Sequence, residues 1–557
     1  MPLDHEGLVI GSGFGGAIAC CRLAQRWPGR VLLLERGKRW PAGSFPRSPT
    51  ALAQAFWSPQ TLGLFDLRHQ KGMDLVVSAG LGGGSLIYAN VFLPAPAHRF
   101  EQGWPQGLDA RRLAPYYDVA RRVLGATPLP EHLAPGRAEE LADFARHLGR
   151  PCHPAELCVT FAPPDRPPRP GGRNAHGAPQ GECQLCGECD LGCNLQAKNS
   201  LDLNYLYAAE HHHGAEIRTG AQVERITPLD AQGREATDAD GRHGYAVHYR
   251  ELPGGAMRRV TARRVVVAAG ALGTTELLLR CRDRHHSLPR LSPALGHRMS
   301  GNGDFVAFAT QTRRALPANA GPVITRWVDH HLFDDLDPRR AFILEDAAYP
   351  ALLAWYLEGV RPALDPMGLL RKGRRLAGRL WHRWVRRDRW YGSLGHLARE
   401  ALDDSYSSRT RVLLFMGLDE AQGRMTLVGD QMQLHWPHRP SLALYQAQLA
   451  LARAFGDFGG ARHTLPLPTW RWPLRRNISV HPLGGCALAD DPHHGVTDGN
   501  EDRRGRLFGY QGLYVTDGAL MPMALGANPS ATICALAEWI CEGITGRAPD
   551  SHLGKGS

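Results

Sequence analysis

No apolar stretch of this sequence approaches the ~18 residues that read as a membrane span, which excludes an integral membrane protein of the helical type. No secretory leader is expected either: instead of a basic start, an apolar run and a small-residue cleavage site, Asp4, His5 and Glu6 lead directly into the strand-like LVIG. The expected compartment is the cytoplasm. No segment recurs at a period of about 20–50 residues, so solenoids and propellers are excluded. The positive charge, a formal +11, is not spread along the chain, and it accompanies no nucleic-acid reading motif. Ten Lys or Arg against two acids lie in 361–390 alone, so nucleic acid is not an expected partner. The twelve cysteines do not suggest a disulfide framework in a compartment that keeps thiols reduced.

The 557 residues are enough for two or three domains with a large buried core. Residues 8–35 pass from an apolar strand (LVI) through GSGFGG and a helix-compatible stretch to a second strand (RVLLLE), which is a βαβ unit. Further glycine-dense turns between apolar runs occur in MDLVVSAGLGGGSLIYANVFL at 73–93 and in RRVVVAAGALGTTELLLRC, and a clear apolar helix pattern closes the chain. Residues 159–181, rich in Pro, Gly and Arg, read as an extended loop. The expected fold is therefore α/β: a discontinuous Rossmann-type nucleotide-binding domain (1–100, 201–304 and 478–557), a helical and loop insertion at 101–200, and an inserted α+β substrate domain built on a β-sheet at 305–477.

Gly11-Ser-Gly13-Phe-Gly15-Gly16 follows a strand, opens a helix and precedes Glu35 at the end of the next strand. Gly11 suits the tight turn, Gly13 the approach of backbone amides to a pyrophosphate, Gly16 close helix–strand packing, and Glu35 a ribose hydroxyl. FAD and NAD both fit such a fingerprint. The remaining blocks decide: GSGFGGA at 11–17, GLGGGSLIYANV at 80–91, VVVAAGALGTTELLL at 265–279, HPLGGC at 481–486 and GLYVTDGALMPMALGANPSATICALAE at 512–538. In content and order they resemble the glucose-methanol-choline (GMC) oxidoreductases, FAD-dependent alcohol oxidases and dehydrogenases, and within that family the bacterial cholesterol oxidases. The resemblance implies FAD held by Gly11, Gly13, Gly15, Gly16, Glu35, Gly80, Gly82, Gly83, Gly84, Ser85, Asn90, Val223, Ala269, Gly270, Asp517 and Gly518. Several family members follow the second turn with Asn-Gly, whereas Tyr88-Ala89-Asn90 stands here.

Alcohol oxidation by a flavin needs a base for the hydroxyl proton while hydride leaves the carbinol carbon. The resemblance places His481, in HPLGGC, in that role, and Asn528, in GANPS, as the hydrogen-bonding partner of the substrate oxygen. A turn or helix cap is the other reading of Asn528. Glu345, in FILEDAAYP, follows three apolar residues; burial there raises a carboxyl pKa toward neutrality, and a salt-bridged structural acid is the alternative. Cys183, Cys186, Cys189 and Cys193 have the spacing of a bacterial ferredoxin run, except that Asn194 replaces the usual proline. Either Cys193, a three-iron cluster, or Cys152 or Cys158 completes an iron–sulfur site, or the run is a loop of reduced, buried thiols. A cluster predicts a dehydrogenase that passes electrons to a carrier protein, and its absence an oxidase that uses oxygen.

The expected substrate is a hydrophobic alcohol, a steroid 3-hydroxyl first and a long-chain alcohol second. A flavin photoenzyme acting on fatty acids and a non-catalytic flavoprotein docking module are the competing classes. In 361–390, Leu370, Leu376, Leu380, Trp381 and Trp384 recur at near-helical spacing among arginines, which suits an interfacial helix on an anionic membrane. A solvated basic helix that binds an acidic protein is the alternative. The first version places the protein peripherally at the inner face of the membrane.

Overall fold

In this computed structural model, residues 2–554 are described apart from 335, 336, 338, 365–373, 375, 376, 378–380, 382–405 and 471–475. Short β-branched and leucine-rich runs bounded by glycine build the first sheet. Its parallel centre has the order Leu513–Val515, Met257–Val267, His5–Ile10, Val31–Glu35, Glu216–Thr219. Leu8, Val9, Leu32, Leu33, Val265 and Val266 are all buried, which requires cover on both faces and explains why these strands read as continuous rather than alternating apolar runs. Met257–Val267 serves two sets of neighbours. Its first half pairs antiparallel with Tyr245–Glu251, and its second half pairs parallel with His5–Ile10 and Leu513–Val515. The fingerprint helix Phe14–Arg26 packs on the C-terminal helix Ser530–Thr545, which also meets the helix Ala110–Val123.

A second sheet is antiparallel throughout, in the order His463–Pro466, Phe305–Thr310, Arg411–Gly417, Phe342–Ala347, Arg326–His330, Cys152–Pro154. Here the strands alternate. Phe305, Ala307, Leu413 and Phe415 form a core with the helices Gly136–Leu148 and Leu442–Gly459, while Val306, Phe308, Val412 and Leu414 point to the opposite face. The edge strand Cys152–Pro154 comes from far upstream of the others. The result is the expected mixed α/β architecture, with a Rossmann-type parallel sheet beside a separate antiparallel one. Among the described residues no helix is long and apolar enough to cross a membrane. The interfacial-helix expectation for 361–390 lies almost wholly outside the described residues, which there comprise the end of the helix Ala351–Leu364 and positions 374, 377 and 381.

Candidate active site

Four turns that are far apart in sequence converge at the carboxyl ends of the parallel strands, where a doubly wound sheet binds its ligand. The fingerprint turn and the turn at 516–518 approach so closely that a Cβ on Gly15 would lie 2.0 Å from the Thr516 carbonyl oxygen. Gly83, at φ +53°, would set a Cβ 2.6 Å from Gly13 Cα, which joins the second glycine turn to the first. Asp517 links the last two turns: its carboxylate accepts from the Gly270 amide (2.8 Å), the Ala519 amide (2.8 Å) and the Thr274 hydroxyl. Burial pushes the Asp517 carboxyl up to about 6 in spite of these bonds.

These turns form one end of a cavity of about 1310 Å³, walled elsewhere by the second sheet's free face. Gly11, Gly13, Gly15, Glu35, Gly83, Gly84, Val223, Ala269, Gly270, Asp517 and Gly518 line it, together with His481 and Asn528. Gly16, Gly80, Gly82, Ser85 and Asn90 stand behind this lining rather than in it. The Ser85 hydroxyl donates to the Gly82 carbonyl (2.7 Å) and accepts from the Leu201 amide (3.0 Å), which fixes the second turn from within. Glu35 is engaged by its own chain: it accepts from the Ser12 amide (3.1 Å), the Ser12 hydroxyl (2.6 Å) and the Gly37 amide (2.8 Å). A carboxylate has about four acceptor positions, so one remains for a ribose hydroxyl.

His481 enters the cavity from a loop after the short strand Asn477–Ser479. Its Nδ1 lies 2.8 Å from Oδ1 of Asp304, a buried carboxylate whose Oδ2 accepts from the Ser479 hydroxyl (3.0 Å) and the Val480 amide (2.9 Å). An anion so placed accepts the proton of Nδ1–H, leaving Nε2 as the basic nitrogen. Asp304 was not legible as a site residue: its only signal is the glycine-flanked turn SGNGD, and the contact spans 177 positions.

Asn528 is nearly buried, and its Oδ1 has no partner, so it does not cap the helix that follows. Glu345 lies beside it on Phe342–Ala347. It is fully buried, with neither carboxylate oxygen in a well-aligned hydrogen bond. Burial first, then neighbouring Asp346, pushes its carboxyl well above the usual range, an effect that the Asn528 amide partly offsets. The salt-bridge alternative therefore belongs to Asp346, which Arg137 Nε approaches at 2.9 Å, and not to Glu345.

The residues present fit FAD. The glycine turns bare their backbone at the strand ends, the cavity runs from them to the second sheet's free face, and in its lining the buried Oδ1 of Asn528 has no partner. A buried amide oxygen without a partner is costly unless a bound group satisfies it.

The cysteine run is a different matter. Cys183 and Cys189 pack as small hydrophobes against a cluster that includes Leu157, Val159 and Val323, while Cys186 is exposed. Burial pushes the Cys183 thiol up to about 12 and that of Cys189 up to about 11. Among the described residues, no three His, Cys, Asp or Glu side chains are arranged to hold a metal ion, so the ligand set expected from Cys183, Cys186, Cys189 and Cys193 is not assembled. The loop is instead fastened to the second glycine turn by buried Lys198, whose Nζ donates to the carbonyls of Leu86 (3.0 Å) and Cys189 (2.9 Å).

Known proteins are similar to this chain. Residues 172–300 and 470–537 match the N-terminal and C-terminal GMC oxidoreductase family models. A cholesterol oxidase of Acinetobacter baumannii is 30% identical over 96% of this chain and 93% of its own length, and one of Mycobacterium tuberculosis is 29% identical over 99% and 93%. A long-chain-alcohol oxidase of Arabidopsis thaliana is 23% identical over 97% of this chain and 67% of its own. Among solved structures, pyridoxine 4-oxidase from Mesorbium loti superposes with a TM-score of 0.61 at 15% identity, covering 97% of this chain and 99% of that one, a likeness of fold alone. With a relative this similar over nearly the full length, the chain belongs to the GMC oxidoreductase family, FAD-dependent enzymes that act on CH–OH donors.

Proposed function

We propose that the protein oxidises a hydrophobic alcohol, a steroid 3-hydroxyl before a long-chain alcohol, with His481 as the base and oxygen as the final acceptor. The observation that carries this reading is the His481–Asp304 pair, which faces a cavity bounded at one end by glycine turns and at the other by an apolar sheet face. Nε2 takes the hydroxyl proton. Asp304 holds the ring in the competent tautomer and stabilises the imidazolium that forms. The Asn528 amide, which cannot titrate, donates to the substrate oxygen. Bound FAD supplies the two-electron acceptor. Val306, Phe308, Val412 and Leu414 offer the hydrocarbon body an apolar wall, and about 1310 Å³ exceeds the ~300–1,000 Å³ usual for one small molecule, enough for cofactor and substrate together. Glu345, whose anionic form burial disfavours, stands beside Asn528. The full-length similarity to cholesterol oxidases supports the steroid over other alcohols.

Anaerobic flavin bleaching tests the assignment. His481→Ala is expected to keep the yellow spectrum of bound FAD and to lose about 10²–10⁴ in the rate of reduction by cholesterol. Unchanged kinetics in that variant overturn the base, and bleaching by long-chain alcohols but not by sterols overturns the substrate.

Delivery from a membrane fits the same reading. Leu353, Trp355 and Tyr356 are exposed and also line the cavity, on the helix that runs into the basic stretch 361–390. Each Lys or Arg near an anionic surface adds about 1 kcal/mol. Co-sedimentation with anionic vesicles at low salt, weakened when Arg374, Arg375, Arg386 and Arg387 are replaced by Gln, is the expected result. No binding at low salt defeats the membrane version.

A further inference from the structure

His481 and Asn528 reach the cavity from different loops, so something must hold those loops at a fixed separation. A single five-residue turn, Ser300–Asp304, touches both. At its end, Asp304 takes His481 Nδ1. Two residues earlier, fully buried Asn302 reaches the opposite way. Its Oδ1 accepts from the amides of Leu525 (2.9 Å) and Gly526 (2.9 Å), and its Nδ2 donates to the carbonyl of Ala527 (2.8 Å), the residue before Asn528. Three consecutive residues of the Asn528 loop thus end on one side chain. The turn itself cannot easily drift: buried Asp419 accepts from the Ser300 hydroxyl (2.8 Å) and the amides of Gly301 (2.9 Å) and Gly303 (2.9 Å). Asn302 has φ +56°, a left-handed conformation that asparagine tolerates better than most side chains, so both its backbone and its amide suit the position.

We propose that Asn302 is a positioning residue for the reaction, setting the separation between His481 and Asn528 without touching substrate. The inference rests on the reading of those two as the groups that meet the alcohol. Its energetic basis is the steep dependence of rate on placement, since a misplacement of about 1 Å costs about 10²-fold.

A double-mutant cycle on the holoenzyme, read by anaerobic flavin reduction at saturating cholesterol, decides the matter. Asn302→Ala is expected to retain FAD and lower the limiting rate about 10²-fold, with KM moving less than about tenfold. In the Asn528→Ala background the same change is expected to cost less than about threefold, because there is no longer a group to position. Equal losses in both backgrounds mean a general structural role and overturn the proposal. Should Asn302→Ala not fold, Asn302→Asp serves: it retains both acceptor bonds, replaces the donation to Ala527 with a carboxylate oxygen that repels that carbonyl, and is read by the same cycle. A fall of less than about threefold for Asn528→Ala alone instead overturns the underlying assignment of Asn528, so the two failures are distinguishable.

Discussion

His481 acts through its partner. With Asp304 the proton sits on Nδ1; with asparagine in that place the amide can turn to donate, which puts the proton on Nε2 and removes the base. Asp304→Asn is therefore expected to keep the fold and the flavin but to reduce cholesterol-dependent bleaching by about 10²–10⁴, and a change under threefold sinks the orienting role. Asp419 is a second residue with a measurable signature. Burial lifts its carboxyl from 3.8 to about 6, even though it accepts hydrogen bonds from the Ser300–Gly303 turn. Between about pH 4 and 6 the folded protein holds a proton that the unfolded chain has already released, so this group's contribution to stability falls as pH rises through that window. Asp419→Asn abolishes the titration. The unfolding free energy of the variant minus that of the parent, from denaturant titrations, should thus grow more positive from about pH 4 to 6, at up to about 1.4 kcal/mol per pH unit; a pH-independent difference refutes the assignment.

At the scale of elements, the cavity exists because backbone segments approach where any side chain would intrude. Gly15→Ala makes this testable: its Cβ would stand 2.0 Å from the Thr516 oxygen, so the turn holding Asp517 must retreat. Overpacking of this kind costs about 1–3 kcal/mol, and the expected outcome is a lower melting temperature together with a lower ratio of flavin to protein on purification. Parent-like values for both mean that the close approach is not needed. The same constraint explains what the sequence disclosed. Turns that need glycine, as at 11–16, 80–84 and 268–270, leave a local spelling, and so do strands buried on both faces, such as VLLLE. Glu345 was legible as a buried acid because FILE is a local pattern. Asp304 and Asn302 were not, because their roles depend on loops more than 170 positions away. The cysteine run shows the converse: a spacing that suits metal ligation in one backbone leaves Cys183 and Cys189 packed as hydrophobes when the loop lies on an apolar cluster.

Over the whole molecule, the two sheets share one cavity and almost no hydrogen-bonded strand pairing, since each closes its own ladder. What joins them at the site is the Ser300–Asp304 turn, the His481 loop and whatever fills the space between. A ligand that spans the cavity is therefore expected to stabilise both sheets at once, by RT ln(1 + [L]/Kd), or about 4 kcal/mol at a thousandfold excess over Kd. ADP carries only the groups suited to the nucleotide end, where Gly13, Glu35 and Val223 lie, and lacks the part of FAD expected to extend toward Val306, Phe308 and Leu414. Deflavinated protein should melt below the holoenzyme, and FAD should restore a single cooperative transition. ADP at the same multiple of its own Kd should raise only the part of the unfolding reported by the parallel sheet, leaving the second sheet, reported by its tryptophan Trp327, to unfold at the lower temperature. Scanning calorimetry with tryptophan fluorescence reads both. A common shift with ADP as complete as with FAD means that the sheets are already coupled without a spanning ligand, and no shift with FAD refutes the cavity as its site.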